Sequence, residues 1–185
     1  MTAEDGKGVP VTITFLEMEA PPSRPAPPMP LEPHAVLRAE QPTIHFYRYL
    51  YNTVGAQWTW TERRYLSDES LARIVQDENV EIMVLYLRGV PAGYAELDFR
   101  ELPARADLSY FGLMPEFIGR KLGPWFLHWA VEELWSRGPE RITVNTCTAD
   151  HPAALAMYQK IGFVPYERRE ATLMPMPDDA APLLD

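Results

Sequence analysis

The chain has 185 residues, 46% of them hydrophobic, with 17 Lys and Arg against 26 Asp and Glu, a net charge of -9 and a pI near 5.0. That length bounds one well-buried domain, and the acidic balance argues against non-specific binding to nucleic acid or an anionic membrane while favouring a cationic small molecule. The one cysteine, Cys147, excludes an internal disulfide, and with no charged-then-apolar leader or run of 18 apolar residues a cytoplasmic protein is expected.

Residues 11–18 alternate, carry β-branched side chains and predict a strand. Eight of the 19 prolines fall in the first 33 residues, seven of them from Pro21 to Pro33. A polyproline-like run with few backbone donors cannot join a sheet interior, so residues 20–33 predict a linker to the main body. Ile44, Tyr47, Leu50, Tyr51 and Val54 share one helix face, with Thr43 as cap and Gly55 as stop. Ser67 caps a second helix that buries Leu71, Ile74 and Val75. Strand-like runs at 80–87 and 90–99 flank Arg88-Gly89, the tight turn of an antiparallel hairpin, and a third strand covers 106–113.

Leu122, Phe126, Ala130 and Leu134 then recur at i+4 spacing, with Leu127 and Val131 widening the stripe, which predicts a helix packed on a sheet. A strand at 141–147, a short helix at 152–161 stopped by Gly162 and a closing strand at 163–173 complete the order. From Ala171 on, residues 171–185 are rich in proline, alanine and aspartate and are expected to fray. No internal repeat interrupts the sequence β, α, α, β, β, β, α, β, α, β, which predicts a single α/β domain over 1–185 with its core at 43–170.

Two stretches carry chemistry. In residues 111–123, FGLMPEFIGRKLG, an apolar strand breaks at a proline, passes through a loop with two glycines and opens a helix with Pro124 in its first turn. There the backbone can approach a ligand closely, and N–H groups without an intrahelical partner can face a diphosphate. In residues 150–163, DHPAALAMYQKIGF, Ala154, Tyr158, Gly162 and Phe163 hold a fixed spacing.

In this order the two stretches resemble the acetyl-CoA-binding core of the GNAT N-acetyltransferases, over roughly residues 43–168. The resemblance implies a GNAT-type α/β fold: a mixed, mostly antiparallel twisted sheet flanked by helices. It further implies transfer of an acetyl group from acetyl-CoA to an amine by direct attack, without a covalent enzyme intermediate or a metal. On the family's loop, Ile118, Gly119, Arg120, Lys121, Leu122 and Gly123 would hold the diphosphate, with Ile118 replacing the usual Arg or Gln and Lys121 the first glycine. A lysine there either crowds the phosphates or sets an ammonium beside them. His151 stands where the family usually has Asn.

Phe111, Gly112 and Leu113 would offer backbone groups to the pantetheine arm where two central strands splay apart, with an N–H near Leu113 stabilising charge on the acetyl oxygen. Tyr158 would protonate the departing thiolate.

An incoming ammonium must lose a proton, so a base is needed. Asp107 is the first candidate, with Glu96 and Asp98 as alternates, against the plain reading of a solvated strand face. Trp58, Trp60 and Tyr65, with Phe46, Tyr47, Tyr49 and Tyr51 upstream, fall where relatives cover the acceptor, and Trp58 or Trp60 can hold a cationic amine over its ring; aromatics at this spacing are also core formers. Cys147 and His151 match no cysteine-hydrolase signature, and His34, His45, His128 and His151 lack metal-ligand spacing. A second reading keeps the fold without the reaction: a silent acyl-CoA-binding or regulatory module. Antibiotic, polyamine, amino acid and protein N-terminus all stay open as acceptors, as does a homodimer reached through the N-terminal strand and linker.

Overall fold

The computed structural model describes residues 8–174. Its elements are β1 (Val9–Met18), β2 (His34–Arg38), α1 (Ile44–Gly55), α2 (Asp68–Val75), β3 (Val80–Leu87), β4 (Val90–Asp98), β5 (Ala106–Leu113), α3 (Leu122–Ser136), β6 (Ile142–Cys147), α4 (Ala154–Ile161) and β7 (Val164–Leu173), with short 3-10 turns at Glu62–Tyr65 and Pro115–Phe117. The caps are made as the sequence predicts: Thr43 Oγ1 accepts from the Phe46 N–H at 3.3 Å and Ser67 Oγ from the Ser70 N–H at 3.2 Å. Arg88 and Gly89 both take positive φ, +52° and +83°, the backbone of a tight two-residue hairpin.

One seven-stranded sheet runs in the order β2-β3-β4-β5-β6-β1-β7. All neighbours are antiparallel except β5 and β6. Both faces of its centre are covered, which is why β3 is apolar at nearly every position rather than alternating. On one face α3 and α4 bury Leu16, Leu97, Leu108, Phe126 and Leu134; on the other α1 and α2 bury Tyr47, Leu50, Leu71, Val84 and Tyr94.

Three details differ from the sequence reading. The short edge strand β2, antiparallel to β3, follows directly on the proline run, and only its distant partner defines it. Residues 171–173, expected to fray, pair with Val11, Pro10 and Val9 inside the sheet, and residues 175–185 of that tail lie outside the described residues. β1, which the sequence left free to reach a neighbouring subunit, is paired on both edges within its own chain, to β6 and β7.

That placement dictates the path of the proline-rich segment. With β1 sixth in the sheet and β2 first, residues 19–33 must cross five inter-strand spacings, about 24 Å at the usual repeat. As a polyproline-like chain they can span about 47 Å, and the excess carries them over the α3–α4 face. Along the way Arg24 Nη1 donates to the Lys160 carbonyl at 3.5 Å, and Glu32 pairs with Arg120 at 2.5 Å and Arg88 at 2.7 Å. His34 then meets the Trp125 ring edge-on at 5.1 Å. The segment is a strap, not a loose connector.

Candidate active site

β5 and β6 pair for only three residues each, Ala106 to Leu108 against Ile142 to Val144. Beyond that point β5 stays with β4 as far as Leu113, while β6 stays with β1 as far as Cys147. The two strands therefore diverge, leaving one edge of β5 without a strand partner. A cleft of about 710 Å³ opens through this gap.

Phe111, Gly112 and Leu113 line the cleft on the strand side, and Ile118, Gly119, Lys121, Leu122 and Gly123 line it at the start of α3. Gly119 sits at φ +82° in open space, so the loop backbone there is bare. Lys121 adopts φ +61° at the helix N-cap, the left-handed conformation that explains why a glycine serves well at this point. Its exposed ammonium has no carboxylate partner among the described residues. Gly112 lies on the stretch of β5 that has parted from β6. It remains in register with Tyr94, and a Cβ there would come within 2.3 Å of the Val54 side chain on α1. Close packing of α1 against it thus adds a second reason for the glycine, beside the loss of the β6 partner.

Tyr158 and His151 bring α4 to the cleft. Tyr158 is 6% exposed, with its ring edge-on to Phe163, and nothing among the described residues hydrogen-bonds its hydroxyl. Burial, then the charges of Asp150 and Asp107, push the phenol well above its ordinary pKa, so it stays protonated. His151 Nδ1 accepts from the Ala153 N–H at 3.1 Å, the service an asparagine oxygen would give at a helix start, and its ring meets Trp58 at 4.9 Å.

The opposite wall is acidic and aromatic. Trp60, Tyr51 and Tyr110 form a ring cluster with centroids 5.0 to 5.5 Å apart. Tyr110 donates to Glu62 Oε2 at 2.7 Å, and Trp60 Nε1 donates to Asp150 Oδ1 at 3.2 Å. Asp150 Oδ2 also accepts from Thr146 Oγ1 at 2.7 Å and the Cys147 N–H at 2.8 Å. Burial drives the Tyr51 phenol to about 12 and Tyr110 higher still, so both remain neutral, Tyr110 donating to Glu62 and Tyr51 accepting from the Arg63 N–H. Trp58, Trp60, Glu62 and Asp150 all line the cleft. Sequence reasoning singled out the tryptophans but missed both carboxylates. Their ring and hydroxyl partners lie 48 and 90 residues away, beyond any local pattern.

Four expected residues lie elsewhere. Arg120 is not on the cleft; its guanidinium is held by Glu32 of the strap and stacks over Phe117 at 5.1 Å. Glu96 is fully buried, accepting from the Tyr47 hydroxyl and Arg63, each at 2.5 Å. Burial pushes its pKa up against the pull of Arg63 and Tyr47, and neither partner of this pair lines the cleft. Asp107 and Asp98 face a second cavity of about 610 Å³. Asp98 is clamped by Arg100, and Asp107 accepts from Thr143 Oγ1 at 2.7 Å and Ser109 Oγ at 2.9 Å. Burial raises the Asp107 pKa over the opposing effect of these hydroxyls. Ser109 and Asn145 line both cavities and separate Asp107 from the main cleft.

Among the described residues, no helix is long and apolar enough to cross a membrane, and no group of three His, Cys, Asp or Glu side chains is arranged to hold a metal.

No curated protein matches the chain. Solved structures match its fold at low identity. A GNAT-family acetyltransferase structure from Novosphingobium aromaticivorans aligns with a TM-score of 0.59 at 16% identity, over 90% of this chain and 65% of that one. A tandem GNAT protein from the clavulanic acid biosynthesis pathway gives 0.62 at 18%, over 93% and 57%. A GCN5-related N-acetyltransferase from Sphaerobacter thermophilus gives 0.61 at 16%, over 92% and 54%. The chain thus spans between about half and two thirds of the length of these structures. The family model for the acetyltransferase (GNAT) family matches residues 47–163, from the buried tyrosine of α1 to the phenylalanine after α4, and so takes in the loop, the diverging strands and Tyr158. With more than half its length under that model and the fold to go with it, the chain belongs to the GNAT acetyltransferase family.

Proposed function

We propose that the protein moves an acetyl group from acetyl-CoA to a primary amine of a small cationic acceptor by direct attack. The observation that carries this reading is the charge arrangement of the one cleft that runs through the β5–β6 divergence. Lys121 and the bare Gly119 backbone lie at the start of α3, Tyr158 stands on the α4 wall, and Glu62 and Asp150 border the aromatic wall. These residues fit the donor: the first N–H groups of α3 and the Lys121 ammonium suit a diphosphate, and the open β5 edge suits the amides of a pantetheine arm. When bound, acetyl-CoA supplies the thioester carbonyl that an amine attacks.

The rest of the chemistry belongs to the chain. The carboxylates and rings hold the ammonium and strip its water, a cation over such rings gaining up to about 2 kcal/mol when desolvated. Glu62, which opens directly on the cleft, takes its proton; Asp107 acts at most through the Ser109 hydroxyl. Backbone N–H groups on the free β5 edge bear charge developing on the carbonyl oxygen. Tyr158, kept protonated, hydrogen-bonds the sulfur as it leaves.

The test is a screen of amine pools with acetyl-CoA, following coenzyme A release with a thiol reagent. Release with a di- or polycationic amine supports the reading. Tight acetyl-CoA binding with no release for any amine would establish the silent module in its place.

A further inference from the structure

Charge pairing across the molecule is uneven. Eleven of the fourteen described arginines sit in ion pairs with carboxylates. The described cations outside these pairs are Arg24, Arg64, Arg168, Lys121 and Lys160, although the chain has nine surplus negative charges, and of these Arg24, Lys121 and Lys160 line the same cleft. Arg24 comes from the strap, where Pro22, Pro25 and Pro27 beside it also face the cleft. Its tie to the fold is a 3.5 Å contact with the Lys160 carbonyl, which sets its guanidinium beside the last turn of α4.

These cations follow an order. Asp150 and His151 precede the first turn of α4, and Gly123 at the start of α3 faces Met157 in the middle of α4, where an added Cβ would lie 3.7 Å from the sulfur. Lys160 and Arg24 come one turn further on. Carboxylates thus mark one end of the cleft, the helix start and Lys121 the middle, and Arg24 with Lys160 the far end. An acyl donor built on coenzyme A carries charge in the same sequence: a neutral acyl-pantetheine arm, a diphosphate, then a ribose 3′-phosphate. Resting on the acetyl-CoA reading above, we propose that Arg24 of the strap, together with Lys160, binds the 3′-phosphate of the donor and makes the strap part of the donor site. A guanidinium suits a phosphate monoester because its fork can offer two N–H groups to two oxygens.

Calorimetry with acetyl-CoA and with acetyl-3′-dephospho-CoA tests this. Wild-type protein is expected to bind acetyl-CoA about tenfold or more tighter, the scale of one charge-assisted contact. Arg24→Ala should abolish that preference, weakening acetyl-CoA about tenfold and leaving the dephospho donor unchanged, which also shows that the fold survives. Lys160→Ala should reduce the preference in part, and Arg24→Lys should restore some of it. Equal binding of both donors by the wild type would overturn the inference while leaving the donor reading intact. Loss of both donors alike in Arg24→Ala would overturn it too, since the residue would then act through strap packing. A wild-type protein that binds neither donor would remove the acetyl-CoA reading and this one with it.

Discussion

Trp60 Nε1 donates to Asp150 Oδ1 across the cleft at 3.2 Å, joining the segment after α1 to the turn before α4. Asp150 is itself fixed by the Thr146 hydroxyl and the Cys147 N–H, so the indole is held at a set angle against Tyr110 and Tyr51. Asp150→Ala should release Trp60 and raise the acceptor KM about tenfold, with donor affinity changed less than twofold. Stability should fall by about 1–3 kcal/mol from the unsatisfied donors. Steady-state kinetics with each substrate varied would check this; an unchanged acceptor KM would show that the clasp does not shape the acceptor wall.

Tyr158→Phe should lower kcat by about a hundredfold or more, as removal of a general acid does, while donor affinity stays within a few-fold. Because burial holds the phenol protonated well past neutrality, the wild-type rate should show no fall from tyrosine ionisation up to about pH 9. A kcat loss under threefold would mean the thiolate leaves without help from this side chain.

Glu62→Gln should slow transfer more than Asp107→Asn, because Glu62 lines the cleft and Asp107 opens on the second cavity. The Glu62 variant should lose about tenfold or more in kcat/KM and recover part of it at higher pH, where free amine is more abundant. The reverse ranking would return the base to the Ser109–Asp107 path.

Lys121→Gly relieves a left-handed residue, which for a side chain costs about 1 kcal/mol. Tm should therefore rise by about 2–4 °C. Donor affinity should fall about fivefold through loss of the ammonium. A rise in both would show that the side chain obstructs the phosphates.

Glu32 ties the strap to Arg120 and Arg88, and these two hydrogen bonds hold its carboxyl below the usual value of 4.5. A depressed folded pKa means the contribution is complete above the unfolded pKa and vanishes as pH falls through the folded one. Cleavage within residues 20–33 by an acid-active protease should thus increase as pH drops below about 4.5. Glu32→Gln should show comparable susceptibility at neutral pH to a neutral protease. Equal resistance in the variant would assign the strap's anchorage to Arg24 and the Trp125 contact.

Elements set by local rules were legible in the sequence. The caps Thr43 and Ser67, the Arg88-Gly89 turn and the i+4 stripe of α3 each act within a few residues of themselves, and the family motifs located the loop and Tyr158. What was hidden depends on which distant segment arrives beside a side chain. Arg120 looked free for a phosphate until the strap brought Glu32 to it. Glu96, on a strand with an open-looking face, meets Tyr47 from α1 and Arg63 from the turn after it. Asp150 had no assigned role in the sequence, and Trp60, 90 residues away, gives it one across the cleft. β2 has too little pattern of its own, since an edge strand needs only one partner.

The position of β1 has a consequence for how the molecule is made. Its two neighbours, β6 and β7, begin at Ile142 and Val164, so on a nascent chain β1 is made long before either partner. Pairings of such long sequence separation form slowly and leave edges open meanwhile. β7 closes the edge of β1 that β6 leaves uncovered, so a truncation that removes β7 would turn the strand at the root of the strap into an open edge.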